Sequence, residues 1–141
     1  MAYNLLKGKK GIITGAMNEQ SIAWKVAEKA YEEGAELVLT NTALSLRLGT
    51  LDKLPEKTGS LLVPADATSG EDLGQLVDAS LEHFGGKFDF VLHSIGMSPN
   101  IRKGRSYDDL SYDFFQKTVD ISALSFHKLL QTLYKKDALN R

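Results

Sequence analysis

Four short apolar runs in the 141-residue chain each end in small or polar residues suited to holding a charged or flat ligand. The first run closes on Thr14-Gly15, and Ser21-Ile22-Ala23 then opens a stretch with apolar residues at helical spacing. A glycine at such a point lets the chain turn sharply and brings its backbone near a phosphate, while the free N–H groups at the start of a helix face the anion. Ser21 and Ala23 stand where a complete glycine fingerprint would carry further glycines, so a plain turn followed by a helix cap explains the segment equally well. The second run ends on Thr40, Asn41 and Thr42, whose polar groups suit a nucleoside. The third ends at Asp66-Ala67, where a carboxylate can accept from a ring amino group or simply serve as a turn residue. In the fourth, HSIGMSPN at 93–100, Ser94 and Gly96 let a flat ring approach the backbone, and Ser98-Pro99-Asn100 makes a turn beside them. His93 reads as a packing or hydrogen-bonding residue at a strand end rather than a base.

The elements that must hold these loops alternate strand and helix. Ile12, Ile13 and Thr14 make a β-branched run bracketed by glycines, and Ile22, Ala23, Val26, Ala27, Ala30 and Tyr31 mark a helix from a Ser21 cap to Gly34. Residues 36–41 give a second strand, followed by a helix with Leu44, Leu48 and Leu51 on one face that Pro55 and Gly59 terminate. Residues 60–65 give a third strand; Thr68 and Glu71 have capping-box spacing before a helix that buries Leu73, Leu76, Val77, Leu81 and Phe84 and stops at Gly85-Gly86. Residues 88–94 give a fourth strand, and Ser111 caps a long helix carrying Phe115, Val119, Phe126, Leu129, Leu130 and Leu133. Continuous apolar strands, each followed by an amphipathic helix, predict a parallel sheet covered on both faces: a doubly wound α/β (Rossmann) domain over 1–141, with strand order 3-2-1-4. Such sheets bind ligands beyond the carboxyl ends of their strands, where all four loops lie. Dinucleotide sites of this fold keep an acidic residue some ~20 positions past the glycine. Glu36 fits that count, but it opens its strand instead of closing it. Arg47, one helical turn beyond Thr42, either reaches a 2′-phosphate or is a solvated helix residue, which leaves NAD and NADP both open from the residues alone.

Composition removes several other functions. Seventeen basic residues oppose 18 acidic ones for a net charge of −1, so no basic field exists to draw in nucleic acid; the densest cluster is Arg102, Lys103 and Arg105. Cysteine is absent, which excludes disulfides and thiolate catalysis, and the three histidines show no metal-ligand spacing. No apolar stretch is long enough for a signal peptide or a membrane span, so no membrane association is expected and the cytoplasm is the expected location.

With the four loops in hand, the sequence resembles the enoyl-acyl carrier protein reductases of bacterial fatty acid synthesis, a divergent branch of the short-chain dehydrogenases. The resemblance rests on Thr14-Gly15 followed after five residues by Ser21-Ile22-Ala23, on Asp66-Ala67, on His93-Ser94-Ile95-Gly96 and on DISALSF at 120–126, all in family order. Thr40-Asn41-Thr42 is similar to the Bacteroidetes forms. The resemblance implies that Gly15, Ser21 and Ile22 hold the pyrophosphate region and Thr42 the adenosine ribose region. It assigns Asp66 and Ala67 to adenine, Ile95 to the nicotinamide side and Ser98 to the acyl substrate. It further implies NADH rather than NADPH as cofactor, and reduction of the trans-2 double bond of an enoyl thioester carried on acyl carrier protein. In that reaction hydride goes to C3, a tyrosine donates a hydrogen bond to the enolate oxygen, and a lysine orients the cofactor.

The family's Tyr-x6-Lys pair follows a fifth strand, and the chain is expected to be the amino-terminal, cofactor-binding part of a homotetrameric parent, ending before that strand, with no catalytic residue of its own. Tyr3 and Lys10 share the spacing but precede the first strand. Asp120 lies where other short-chain dehydrogenases keep a polar helix residue, and reads equally well as an ordinary helix position. Two alternatives remain: a non-catalytic dinucleotide-binding or interaction module whose last helix recruits a partner, and another short-chain dehydrogenase, which Ser21-Ile22-Ala23 and HSIG argue against. The chain alone is expected to self-associate or to be only marginally folded, with its fourth strand and last helix exchanging amide hydrogens faster than its first strand.

Overall fold

The computed structural model describes residues 2–141. β1 (Lys10–Thr14) lies between β2 (Glu36–Thr40) and β4 (Phe90–Leu92), and β3 (Leu61–Leu62) pairs with the outer side of β2. Every pairing is parallel, with Ile12 beside both Val38 and Val91, and the order β3-β2-β1-β4 is the one expected from the sequence. The strands are apolar on both faces because each face is roofed by helices. Ile12 and Val38 pack against α4 (Gly70–Phe84) and α7 (Ser125–Lys135), among Leu73, Leu76, Val77, Leu129 and Leu133. Ile13 and Leu39 pack on the opposite face against α1 (Ile22–Glu32), among Ala23, Trp24 and Ala27.

Several boundaries differ from the periodic reading. The segment after β2 forms two short helices, α2 (Ala43–Leu48) and α3 (Lys53–Thr58), instead of one. Gly49 breaks them: its backbone is extended, and a Cβ there would lie 2.4 Å from the Met17 carbonyl oxygen. Leu51 and Leu54 therefore supply the buried contacts, while Leu44 and Leu48 are exposed. β3 spans only two residues, although the Val63 and Ala65 N–H groups beyond it still donate to the Leu39 and Asn41 carbonyls, both at 3.0 Å. Ser69, not Thr68, caps α4, accepting from the Asp72 N–H at 3.2 Å, with Glu71 and Asp72 set favourably in the first turn.

The loop after β4 contains two short turns, α5 (Pro99–Arg102) and a 3-10 turn (Tyr107–Asp109), before Ser111 caps α6 (Tyr112–Val119) as expected. From α6 the chain runs through a π-helical turn, Asp120–Leu124, directly into α7. Of the apolar residues on this long helix, Leu129 and Leu133 are buried, whereas Phe115, Val119, Phe126 and Leu130 are exposed. Beyond α7, Leu139 forms a parallel bridge with Phe88, so pairing on the outer side of β4 already begins within the described residues.

Candidate functional site

All four loops at the carboxyl ends of the strands are held by specific contacts. The Gly15 N–H donates to the Thr40 carbonyl (3.1 Å), and its φ of +87° lies in the left-handed region. A Cβ at Gly15 would stand 1.8 Å from the Ser94 carbonyl oxygen, so the close passage of the fourth loop's backbone is what demands this glycine. Ser21 does not cap α1. Its hydroxyl oxygen accepts from the N–H groups of Met17 and Asn18, both at 3.1 Å, and so shapes the loop itself. The N–H groups of Ile22, Ala23 and Trp24 consequently find no acceptor among the described residues, which leaves the first turn of an eleven-residue helix open to an anion. The Ile22 side chain is exposed beside Leu5, Leu6 and Val26, away from the crevice, so only its backbone faces the loop.

At the end of β2, the Asn41 amide nitrogen donates to the Ala16 carbonyl (2.8 Å), tying the second loop to the first. The Thr42 hydroxyl accepts from the Ser45 N–H (3.2 Å) and caps α2. Thr40 is buried, its hydroxyl has no partner, and it lines a small pocket with Asp66, Ala67, Ile95 and Ile121. One Asp66 carboxylate oxygen accepts from the Thr68 N–H (2.8 Å) and hydroxyl (2.7 Å), while the other receives no hydrogen bond among the described residues. An apolar slot with an unpaired hydroxyl and an unpaired carboxylate oxygen suits a flat heterocycle bearing an amino group. Ile95, from the fourth loop, lines this slot. It also lines the adjoining open part of the crevice with Gly15, Thr42, Ser94, Gly96, Met97 and Arg102.

Two hydroxyls fix the fourth loop. Thr14 Oγ1 donates to the Leu92 carbonyl (2.9 Å) and accepts from the Ser94 N–H (3.2 Å). Ser122 Oγ, on the π turn, accepts from the Met97 N–H (3.0 Å) and donates to the Met97 carbonyl (3.2 Å). Next to it the Lys128 ammonium bridges the Asp120 carboxylate (2.7 Å) and the Thr68 carbonyl (3.3 Å), joining the π turn to the third loop. Asp120 is thereby an ion-pair partner. His93 Nε2 lies 2.7 Å from Ser125 Oγ, whose own proton goes to the Ile121 carbonyl (2.6 Å), so the imidazole donates through Nε2. Burial holds its pKa below the ordinary histidine value.

Other candidate residues fall elsewhere. The Ser98 hydroxyl caps α5, accepting from the Ile101 N–H at 3.4 Å. Arg47 does not line the crevice, and Glu36 lies at the opposite, amino end of β2. Tyr3 and Lys10 lie at that amino end too, with the Tyr3 N–H on Glu33 and the Lys10 ammonium on the Phe84 carbonyl. Ile121, Ser122 and Lys128 are the site-forming residues that spacing rules miss. The π turn shifts them off the regular helical phase, and only the DIS segment itself could have drawn attention to them.

A parallel sheet in this order, with its crevice at the carboxyl ends, defines a doubly wound Rossmann-type domain. The family model described as Enoyl-(Acyl carrier protein) reductase matches residues 15–140, and the chain belongs to that family. An NADH enoyl-acyl-carrier-protein reductase of Rhizobium meliloti (strain 1021) is 35% identical over 125 residues, covering 89% of this chain and 46% of that protein. The NADH reductase FabI of Rickettsia bellii (strain RML369-C) is 37% identical, covering 96% of this chain and 51% of that protein. Among solved structures, the FabI–NADH complex from Alistipes finegoldii superposes with a TM-score of 0.96 at 71% identity, covering 98% of this chain and 49% of that one. A reductase from Anaplasma phagocytophilum in complex with NAD gives 0.85 at 28% identity, covering 99% and 52%. The chain thus spans about half the length of the relatives it matches.

Proposed function

We propose that this chain is the cofactor-binding half of an NADH-dependent enoyl-acyl carrier protein reductase, and that the whole protein reduces the trans-2 double bond of an enoyl thioester on acyl carrier protein. The observation that carries the reading is the 71% identity to a chain solved as a FabI–NADH complex. The crevice supports it residue by residue. Gly15, the loop shaped by Ser21 and the open N–H groups from Ile22 onward suit a pyrophosphate. Thr42, at the rim, suits the adenosine ribose, and Asp66, Ala67 and Ile95 form a slot for adenine with Thr40.

Arg47, the residue considered as a 2′-phosphate partner, does not line the crevice, which favours NADH over NADPH. The nicotinamide supplies the hydride, and this chain's residues bind and orient the dinucleotide and screen it from water. Ser98 caps a turn next to the crevice and is the candidate contact for the acyl group. None of the described residues offers the tyrosine–lysine pair at the strand ends. The exposed Phe115, Val119, Phe126 and Leu130 suit an oligomer interface, and the absence among the described residues of a helix able to cross a membrane accords with a cytoplasmic enzyme.

The test is titration of the purified chain with NADH, NADPH and an enoyl thioester. Expected are saturable NADH binding, weaker NADPH binding and no thioester reduction above background. Failure to bind NADH would sink the reading, and turnover by the chain alone would overturn the division of labour.

A further inference from the structure

The loop from Ser94 to Ser98 has no regular structure, yet Ile95 and Gly96 within it line the crevice. Its backbone is anchored at two points. At one end the Ser94 N–H is held by the Thr14 hydroxyl. At the other, both polar groups of Met97 are held by the single hydroxyl of Ser122, which accepts from the N–H and donates to the carbonyl. Between the anchors the N–H groups of Ile95 and Gly96 have no acceptor among the described residues, so no further backbone N–H donation fixes the height of this arch over the slot. The residue preceding Ser122, Ile121, forms the slot's wall with Ile95. Ser122 therefore couples the two apolar faces of the slot: one belongs to its own turn, the other hangs on its hydrogen bonds. The π turn makes this possible by offering Ile121 to the slot and Ser122 to Met97 from consecutive positions.

We propose that Ser122 is a positioning residue for dinucleotide binding, setting the width of the slot between Ile95 and Ile121 through its two-way grip on Met97. The inference rests on the dinucleotide reading above and adds to it a residue that touches no ligand. Losing the grip frees both backbone groups of Met97 and lets Ile95 withdraw, which forfeits part of the preorganisation that ligand binding otherwise gains.

The test compares the wild-type chain with Ser122→Ala, Ser122→Thr and Ser122→Cys, using ADP-ribose as probe and amide hydrogen exchange as a second readout. Alanine favours helix, so Ser122→Ala is expected to keep the fold, shown by unchanged protection at Ile12 and Val38. Its Met97 amide should exchange faster while that of Ser94 stays protected, and its ADP-ribose affinity should fall about tenfold, as loss of a hydrogen bond of ordinary net strength implies. Threonine keeps the hydroxyl and should restore wild-type affinity. Cysteine, nearly the same size but a weak hydrogen bonder, should behave like alanine and gives the same comparison if the alanine variant fails to fold. Faster Met97 exchange with unchanged ADP-ribose affinity would overturn the proposal alone. A wild-type chain that does not bind ADP-ribose would bring down the dinucleotide reading and this inference with it.

Discussion

Ile12, Ile13, Val38 and Leu39, in the doubly paired centre of the sheet, are completely buried, whereas Leu61, Leu62, Phe90, Val91 and Leu92 at its margins are all half-buried. The loops divide along the same line. The loop after Thr14 hangs from the centre and presents fixed helix N–H groups; the Asp66 and Ile95 loops hang from the margins and form the walls of the slot. The part suited to a charged group is thus built on the stiffest strands, where misplacement would waste preorganised dipoles, and the part suited to a flat ring is built where the sheet yields more readily.

Gly15, where centre and margin meet, should give the largest effect. Gly15→Ala forces a Cβ against the Ser94 carbonyl in a left-handed backbone and is expected to cost about 3 kcal/mol or more in urea unfolding, with loss of NADH binding. Normal stability and binding would mean that the two loops do not touch as described. Next, Leu39→Ala should cost about 2 to 5 kcal/mol, and Leu92→Ala about half as much because Leu92 is already partly solvated. Equal losses would erase the distinction between centre and margin.

A smaller effect concerns pH. His93 has a pKa below its unfolded value, so the unfolded chain binds more protons as pH drops beneath about 6.5. Stability contributed by the neutral imidazole is complete above that point and declines as the solution becomes more acidic, until the folded imidazole itself protonates. The protection factors of amides near Leu92–Ser94, taken relative to the intrinsic exchange rate at each pH, should fall between pH 7 and 5.5 with those of β2 unaffected, and a uniform fall would argue against a local cause.

The smallest effect is expected farthest from the crevice, at Glu33. The Leu5 N–H first, then the Tyr3 N–H and Lys29, hold its carboxyl below the ordinary range against the opposing effect of burial. This contribution is present above the unfolded carboxylate pKa and lost as pH falls through the lower folded one. Glu33→Gln should free the Tyr3 and Leu5 amides in exchange experiments at pH 6 and leave the melting temperature within a few degrees; a large drop would make the segment around Tyr3 and Leu5 part of the core.

Sheet order and the four loops at the carboxyl ends of the strands are legible in the sequence because parallel strands buried on both faces read as unbroken apolar runs with small or polar residues at their ends. The helix after β2 was misread because Gly49, pressed against Met17, interrupts a leucine pattern that spacing alone extends. What demands a glycine at 15, a neighbouring loop some eighty positions away, is a long-range contact that no local pattern carries. The resemblance names Ile22 without telling side chain from backbone, and in the structure its side chain lies beside Leu5 and Leu6 while its backbone faces the loop. Ser122 and Lys128 escaped notice because their partners, Met97 and Thr68, lie in other loops and the π turn disturbs the phase.

The register of β1 has a consequence for how the molecule assembles. Lys10 meets Glu36 after a short connection, whereas Gly11 meets Phe90 only after roughly three times as much chain. Closing the longer loop carries an extra entropic cost of about 1 kcal/mol, and non-local pairing of this kind slows folding. The β1–β2 unit can therefore form while its sequence neighbours are still disordered, but the Ser94 carbonyl reaches Gly15, and Ile95 reaches the slot, only when β4 docks. Competence to bind a ligand is on this account the last property the fold acquires, and a ligand added during refolding should accelerate nothing before that step.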